Sequence, residues 1–333
     1  MTQFGKLVFC GTPQFAVPTL EKLVESGFDI RLLLTQPDRP KGRGLELMAS
    51  PVKELALRQR LPILQPGKIK QNEELRAKLE EIAPAAIIVV GYGRIIPSWM
   101  LQLPKYGNIN LHASLLPKYR GAAPIQWVIA EGERITGVTT MRLNAGLDTG
   151  DILLQKEVAI NPDDTAATIA PTLAAVGAEL MLETLRGLAG GTVIARPQIE
   201  REATLAPILT KEDGRIDFRR TAEQVANRQR GFQPWPGAYT SFRGRNLTLA
   251  AVRPSDKLSE AGGQAGVDST QDLRSPGAIF VVGNSLLAAC GQQSVLEIFE
   301  LQPEGKRRMS AREFINGYRP QPGERFGEPP ESS

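Results

Sequence analysis

The chain has 333 residues, about two domains at the usual ~150 residues per domain, and its 41% apolar and 23% charged residues are ordinary for a folded soluble protein. A single histidine, His112, and two distant cysteines, Cys10 and Cys290, exclude a Cys/His zinc site and a disulfide framework, so no metal and a reducing, cytoplasmic compartment are expected. With 40 Lys and Arg against 36 Asp and Glu, the net charge of +4 permits a polyanionic partner without requiring one.

The first half alternates strand-like and helix-like runs, the pattern of an α/β fold with an open, mostly parallel Rossmann-like sheet. Residues 6–10 predict a buried strand, followed by the turn Gly11-Thr12-Pro13 and a helix over 14–26 that Gly27 caps. Residues 30–34 form the second strand, and 35–50 a long polar loop rich in Pro, Gly and Arg. Ser50-Pro51, an N-cap and a first-turn proline, then opens a helix to about Arg60. Residues 85–90 and 108–111 read as strands, as do 136–142 and 151–160, joined by the glycine-containing loop 144–150. A long apolar-periodic helix over 165–189 closes this part, capped by Asp163 or Asp164. No basic region followed by an apolar stretch stands at the N-terminus, and no apolar run approaches the ~18 residues of a bilayer span, so no membrane association is expected.

Beyond residue 205 the texture changes. A helix over 221–230 precedes Pro234-Trp235-Pro236-Gly237, and short strands follow over 238–242, 247–252, 278–282, 286–289 and 295–301. Little helix and many turn signals suggest a small β-barrel, with the oligonucleotide-binding (OB-like) type a candidate. The expected division is 1–205 and 206–318, with a flexible tail over 319–333 and a solvated loop between Pro254 and Pro276.

Asn110 and His112 lie two apart at the carboxyl end of a predicted strand and so share a face. Ligands of open α/β sheets bind at such ends. Asp148 sits among Gly146, Thr149 and Gly150 in a loop able to close on His112. An amide to steady an oxyanion, an imidazole to move protons and a carboxylate beside it make an acyl-transfer centre. Taken alone, each has a plainer reading: a core histidine, and a turn aspartate binding its own backbone. A Ser-His-Asp hydrolase through Ser114 is weaker, because the chain has no G-x-S-x-G elbow. Gly11-Thr12-Pro13 is not G-x-G-x-x-G, which argues against a nicotinamide dinucleotide. Tyr92, between Gly91 and Gly93, closes another strand beside the same crevice; a flat ligand ring against its backbone and an ordinary strand-end turn are equal readings. Arg39, Lys41 and Arg43 form a basic, glycine-interleaved loop, either a solvated surface or a grip on phosphates. Lys118, Arg120, Arg243, Arg245 and the run Lys306-Arg307-Arg308 add positive charge.

These motifs resemble the methionyl-tRNA formyltransferase family. The resemblance rests on Phe9-Cys10-Gly11-Thr12-Pro13-Gln14-Phe15-Ala16, on Thr35-Gln36-Pro37-Asp38-Arg39-Pro40 with Gly42-Arg43-Gly44, on NLHASLLPKYRGAAP over 110–124, and on Leu147-Asp148-Thr149-Gly150-Asp151. Pro234-Trp235-Pro236 and residues 301–306 extend it into the second half. The N-x-H, S-L-L-P and later Asp are common to folate-dependent formyltransferases; RGAAP, the basic loop and the barrel are more specific. The resemblance implies formyl transfer from 10-formyltetrahydrofolate to the α-amine of initiator methionyl-tRNA, with Asn110, His112 and Asp148 catalytic. It implies that Ser114, Leu115, Leu116 and Pro117 line the folate site with Tyr92, and that Arg39, Lys41, Arg43, Lys306 and Arg307 contact tRNA. A monomer is expected. The rivals are a formyltransferase acting on an amino-sugar nucleotide or other small amine, and a folate- or RNA-binding module without turnover.

Overall fold

The computed structural model describes residues 4–41, 46–257 and 274–327. Arg43 and most of the loop between Pro254 and Pro276 lie outside the described residues. The chain divides into two compact units, one of residues 1–124, 135–159 and 168–207, the other of 125–134, 160–167 and 208–333.

The first unit is built on a seven-stranded sheet. Its strands are β1 (Lys6–Gly11), β2 (Asp29–Leu34), β5 (Ile63–Leu64), β6 (Ala86–Val90), β7 (Asn108–His112), β8 (Ile135–Arg142) and β9 (Ile152–Ala159), in the order β5-β2-β1-β6-β7-β8-β9. Pairing is parallel from β5 to β7 and antiparallel from β7 to β9. All five residues of β6 and of β7 are buried, the near-continuous burial of strands covered on both faces. From β1 the chain steps to β2 on one side and later returns to β6 on the other. That reversal opens a crevice at the carboxyl ends of the central strands.

Helices α1 (Val17–Glu25), α2 (Pro51–Arg58), α3 (Glu73–Ile82) and α4 (Ser98–Leu101) fall between the early strands, and α5 (Pro124–Ala130) follows β7. Ser50 caps α2 as expected, its hydroxyl accepting from the Lys53 amide at 3.1 Å. The predicted polar loop contains a two-stranded ribbon, β3 (Arg39–Lys41) against β4 (Glu46–Met48). The expectation that no segment approaches the length of a bilayer span needs correction. Helix α6 (Ala166–Ala189) has 24 residues and an 18-residue window of mean hydropathy 1.2, half of it buried within the protein. Its apolar character serves packing on the sheet: Gly177 lies against Leu111 of β7, and the Thr184 hydroxyl bonds that of Thr140 on β8 at 2.7 Å.

The second unit carries a six-stranded antiparallel half-barrel sheet, β10 (Tyr239–Phe242), β11 (Arg245–Pro254), β14 (Val295–Pro303), β13 (Ser285–Ala289) and β12 (Ile279–Val282) in that order, with β15 (Met309–Ser310) on β14. Register shifts around Ala251 mark bulges, the usual means of bending a strand around a core. Two helices supply apolar faces to that core, α7 (Ala222–Gly231) and α8 (Ala311–Tyr318), each opened by a capping box. Phe314 of α8 meets Phe242 edge-on at 5.3 Å and stacks on Tyr318 at 4.5 Å.

The flexible tail expected from Arg319 onward is corrected over residues 319–327. Phe326 is buried in the core beside Phe218 and Phe242, and backbone bonds run from Phe326 to Gly277 and from Gly327 to Ser241. One buried aromatic and these bonds anchor a segment whose Pro, Gly and Glu content reads as unstructured. Arg243 adds a fork to Glu324 at 2.6 and 2.9 Å and holds that carboxyl below the ordinary glutamate value of 4.5. A lowered carboxyl stabilises the docked segment above its ordinary value, and the contribution is lost as pH falls through the lowered one. Hydrogen exchange, corrected for intrinsic rates, is therefore expected to rise in residues 319–327 below about pH 4 and not in β13. Equal protection at neutral and acid pH would assign the anchoring to Phe326 alone.

Candidate active site

His112 ends β7 and is buried, with Asn110 two residues before it. The Nε2–H of His112 donates to the Tyr119 carbonyl at 2.9 Å, which leaves Nδ1 as the ring atom able to exchange a proton. Nδ1 faces Asp148 Oδ2 at 3.7 Å, within ion-pair reach but too far for a hydrogen bond. That oxygen accepts from the Gly121 amide at 2.9 Å. The Asn110 side chain, 9% exposed, has no hydrogen-bond partner among the described residues. An amide and a ring nitrogen, neither closed off by a hydrogen bond, thus stand with a carboxylate at the carboxyl end of one strand.

The loop after β7 is held at several points. Thr139 of β8 donates its hydroxyl to the Ser114 carbonyl (2.7 Å) and accepts from the Leu116 amide (3.1 Å), while Gln155 of β9 donates to the Leu116 carbonyl (2.8 Å). Farther on, the Tyr119 amide donates to the Thr204 hydroxyl, the Arg120 amide to the Thr204 carbonyl, and the Ala206 amide to the Arg120 carbonyl. The Asp148 loop begins in a turn around Asn144, whose Oδ1 accepts from the Gly146 amide and the Thr149 hydroxyl. Gln198 donates to both the Asp148 and Gly150 carbonyls at 2.7 Å. Thr139, Gln155, Thr204 and Gln198 escape sequence reading because each acts across a long sequence separation.

Several predicted site residues have other surroundings. The Tyr92 ring lies in the core with Val8, Cys10 and Met100, and burial pushes its phenol above the ordinary range. The left-handed Gly91 (φ 55°) precedes it, and the Tyr92 carbonyl already accepts from Gln36 at 2.9 Å. Ser114 is fully buried and spends its hydroxyl on the Lys118 carbonyl at 2.7 Å, away from any nucleophilic role on His112. Leu116 is buried on Met141 and Ile152, whereas Leu115, which lies against Gly137, and Pro117 are half-buried. The cysteines are unsuited to thiolate chemistry at neutral pH, since burial raises Cys10 strongly and pushes Cys290 up to about 12.

A cavity of about 450 Å³ opens beside Thr12, Pro13, Gln36, Arg39, Ser50 and Gly91, next to the ends of β1 and β6. Arg39 reaches Gln36 Oε1 at 2.8 Å, and Lys41 ends β3. In the other unit, Lys306 and Arg307 lie exposed between β14 and β15, Arg307 pairing with Glu313 at 2.7 Å.

Residues 5–185 match the model of the formyl transferase family, and residues 208–319 that of the formyl transferase C-terminal domain. The chain is 58% identical over 321 residues to a methionyl-tRNA formyltransferase of Koribacter versatilis, covering 96% of this chain and 98% of that protein. It is 57% identical over 322 residues to the enzyme of that name from Acidobacterium capsulatum, covering 97% and 99%. Among solved structures, an N-formyltransferase from Helicobacter canadensis, in complex with folinic acid and dTDP-3-aminofucose, shares the fold with a TM-score of 0.63 at 17% identity. That match covers 90% of this chain and 99% of that one.

Proposed function

The chain belongs to the methionyl-tRNA formyltransferase family, and on that premise we propose that it transfers the formyl group of 10-formyltetrahydrofolate to the α-amine of initiator methionyl-tRNA. The observation that carries this reading is the convergence of Asn110, His112 and Asp148 at one sheet end, in a chain that matches these enzymes over nearly its full length. The amine nitrogen attacks the formyl carbon, and the carbonyl oxygen takes up negative charge. The Asn110 amide and the Nδ1–H of protonated His112 donate to that oxygen. Asp148, the nearest carboxylate to Nδ1, balances the charge of the ring. The bond from carbon to N10 of the folate then breaks; the amine gives up a proton and N10 gains one.

The folate lies along the loop 114–117. The inward turn of Leu115 and Leu116 supports contacts through Ser114–Pro117 main chain and the Pro117 ring, with the backbone beside Tyr92 on the other side. Arg39, Lys41, Arg43, Lys306 and Arg307 hold tRNA phosphates. Five such contacts predict binding that weakens about 10²- to 10³-fold between about 50 and 200 mM salt. Lys306→Ala is expected to lower the slope of log affinity against log salt by about 1, measured by filter binding. A flat salt dependence would remove the phosphate contacts from the account.

The enzyme works in the cytoplasm as a monomer, since one chain carries both the reactive groups and the half-barrel. An amino-sugar nucleotide as acceptor is disfavoured by the far higher identity to the tRNA enzymes. The test is a formyl-transfer assay with methionyl initiator tRNA, a small amine as competing acceptor, and 10-formyltetrahydrofolate. Formylmethionyl-tRNA is the expected product. Transfer to the small amine alone would overturn the choice of acceptor, and free formate without an acceptor would point to hydrolysis.

A further inference from the structure

We propose that Gln198, held by Arg120, is a positioning residue that fixes Asp148 relative to His112; this rests on the acyl-transfer reading above. The Gln198 amide donates to the Asp148 and Gly150 carbonyls, both at 2.7 Å. Its Oε1 accepts from Arg120 Nε at 3.0 Å. The residues on either side of Arg120 then touch the reactive pair: the Tyr119 carbonyl takes the His112 Nε2–H at 2.9 Å, and the Gly121 amide donates to Asp148 Oδ2 at 2.9 Å. Main chain and hydrogen bonds thus close a ring running from Gln198 to Arg120, to His112 and Asp148, and back to Gln198. The 3.7 Å gap between Nδ1 and Oδ2 is a dimension of that ring.

Two observations favour a positioning role over a purely structural one. Asp148 has φ of 50°, the left-handed region, so its backbone needs outside support, and Gln198 supplies it on the carbonyl side. Arg120 is 4% exposed, yet its Nη2 has no partner among the described residues and its ion-pair partner Glu200 is 80% exposed. Burying a cation with an unsatisfied nitrogen is a poor source of stability. The arrangement does, however, aim Nε at Gln198.

Because His112 is the only histidine in the chain, histidine-selective 15N labelling gives one set of imidazole signals. The experiment compares Gln198→Ala and Gln198→Glu with the unaltered protein by steady-state formyl transfer and by the 15N signals of His112. Glutamate keeps the shape and the Arg120 contact but offers the two carbonyls no donor. Both variants are expected to lose about 10- to 100-fold in kcat, with KM for folate and for methionyl-tRNA within about twofold, and to move the His112 signals. Full kcat and unmoved signals in both would overturn the proposal, as would full activity in Gln198→Glu alone, which would reduce the residue to its shape. Should the unaltered protein fail to formylate methionyl-tRNA while the His112 signals still move in both variants, the functional reading falls and the positioning stands.

Discussion

Replacing His112 by alanine is expected to lower kcat for formyl transfer by about 10²- to 10⁴-fold, the range for losing a group that handles charge and protons in the transition state. The tRNA dissociation constant should change little, because the imidazole lies at the sheet end and is buried, remote in sequence from the basic residues assigned to phosphate. Asn110→Ala removes one oxyanion donor and is expected to cost about 10²- to 10³-fold. The double variant should fall far short of the product of the two, since groups acting on one oxygen are not additive. Substitution of His112 also removes its hydrogen bond to the Tyr119 carbonyl, a loss of about 1–3 kcal/mol that a melting curve separates from the kinetic effect. A His112→Ala enzyme within about threefold of the unaltered kcat would mean that the ring only packs, and that Asn110 and Asp148 meet it by accident of the fold.

Much of this site is legible in the sequence because its logic is local. Uninterrupted apolar runs give β1 and β6, the parity of a strand puts Asn110 and His112 on one face, and the glycines around Asp148 mark a loop able to close. The half-barrel strands are legible for the same reason, short runs between turn signals. What escaped depends on distant partners. Gln198 lies in a segment without periodicity and finds Asp148 fifty positions away, a match no local pattern encodes. Tyr92 shows another limit, since its two flanking glycines say nothing of where the ring goes, and it turns into the core. Helix α8 is not legible although Ser310 and Glu313 carry the capping-box spacing, because a short amphipathic run beside a charged turn resembles a loop. The docking of residues 319–327 hangs on Phe326, one aromatic in an otherwise solvating composition.

Gly150→Ala is expected to cost about 10²-fold or more in kcat, together with about 1–3 kcal/mol of stability. A Cβ at Gly150 would lie 1.7 Å from the Arg142 carbonyl oxygen, a contact with main chain that no rotamer change relieves. The neighbouring Asp151 carbonyl accepts from the Arg142 amide at 2.9 Å, and the Gly150 carbonyl is one of the two that Gln198 holds. The loop must therefore lift from the base of the β8–β9 hairpin and carry Asp148 away from Nδ1 of His112. Gly146→Ala provides the contrast within the same loop. Its Cβ would meet the Thr149 hydroxyl at 2.1 Å, but that side chain can turn aside, giving up its 2.9 Å bond to Asn144 at a cost of about 1 kcal/mol. The expected order of kcat is unaltered protein, then Gly146→Ala, then Gly150→Ala by a wide margin, with melting temperatures following the same sequence more gently. If Gly150→Ala melts earlier yet keeps its kcat, the position of Asp148 does not govern the chemistry, and the carboxylate serves only to close the turn on Gly121.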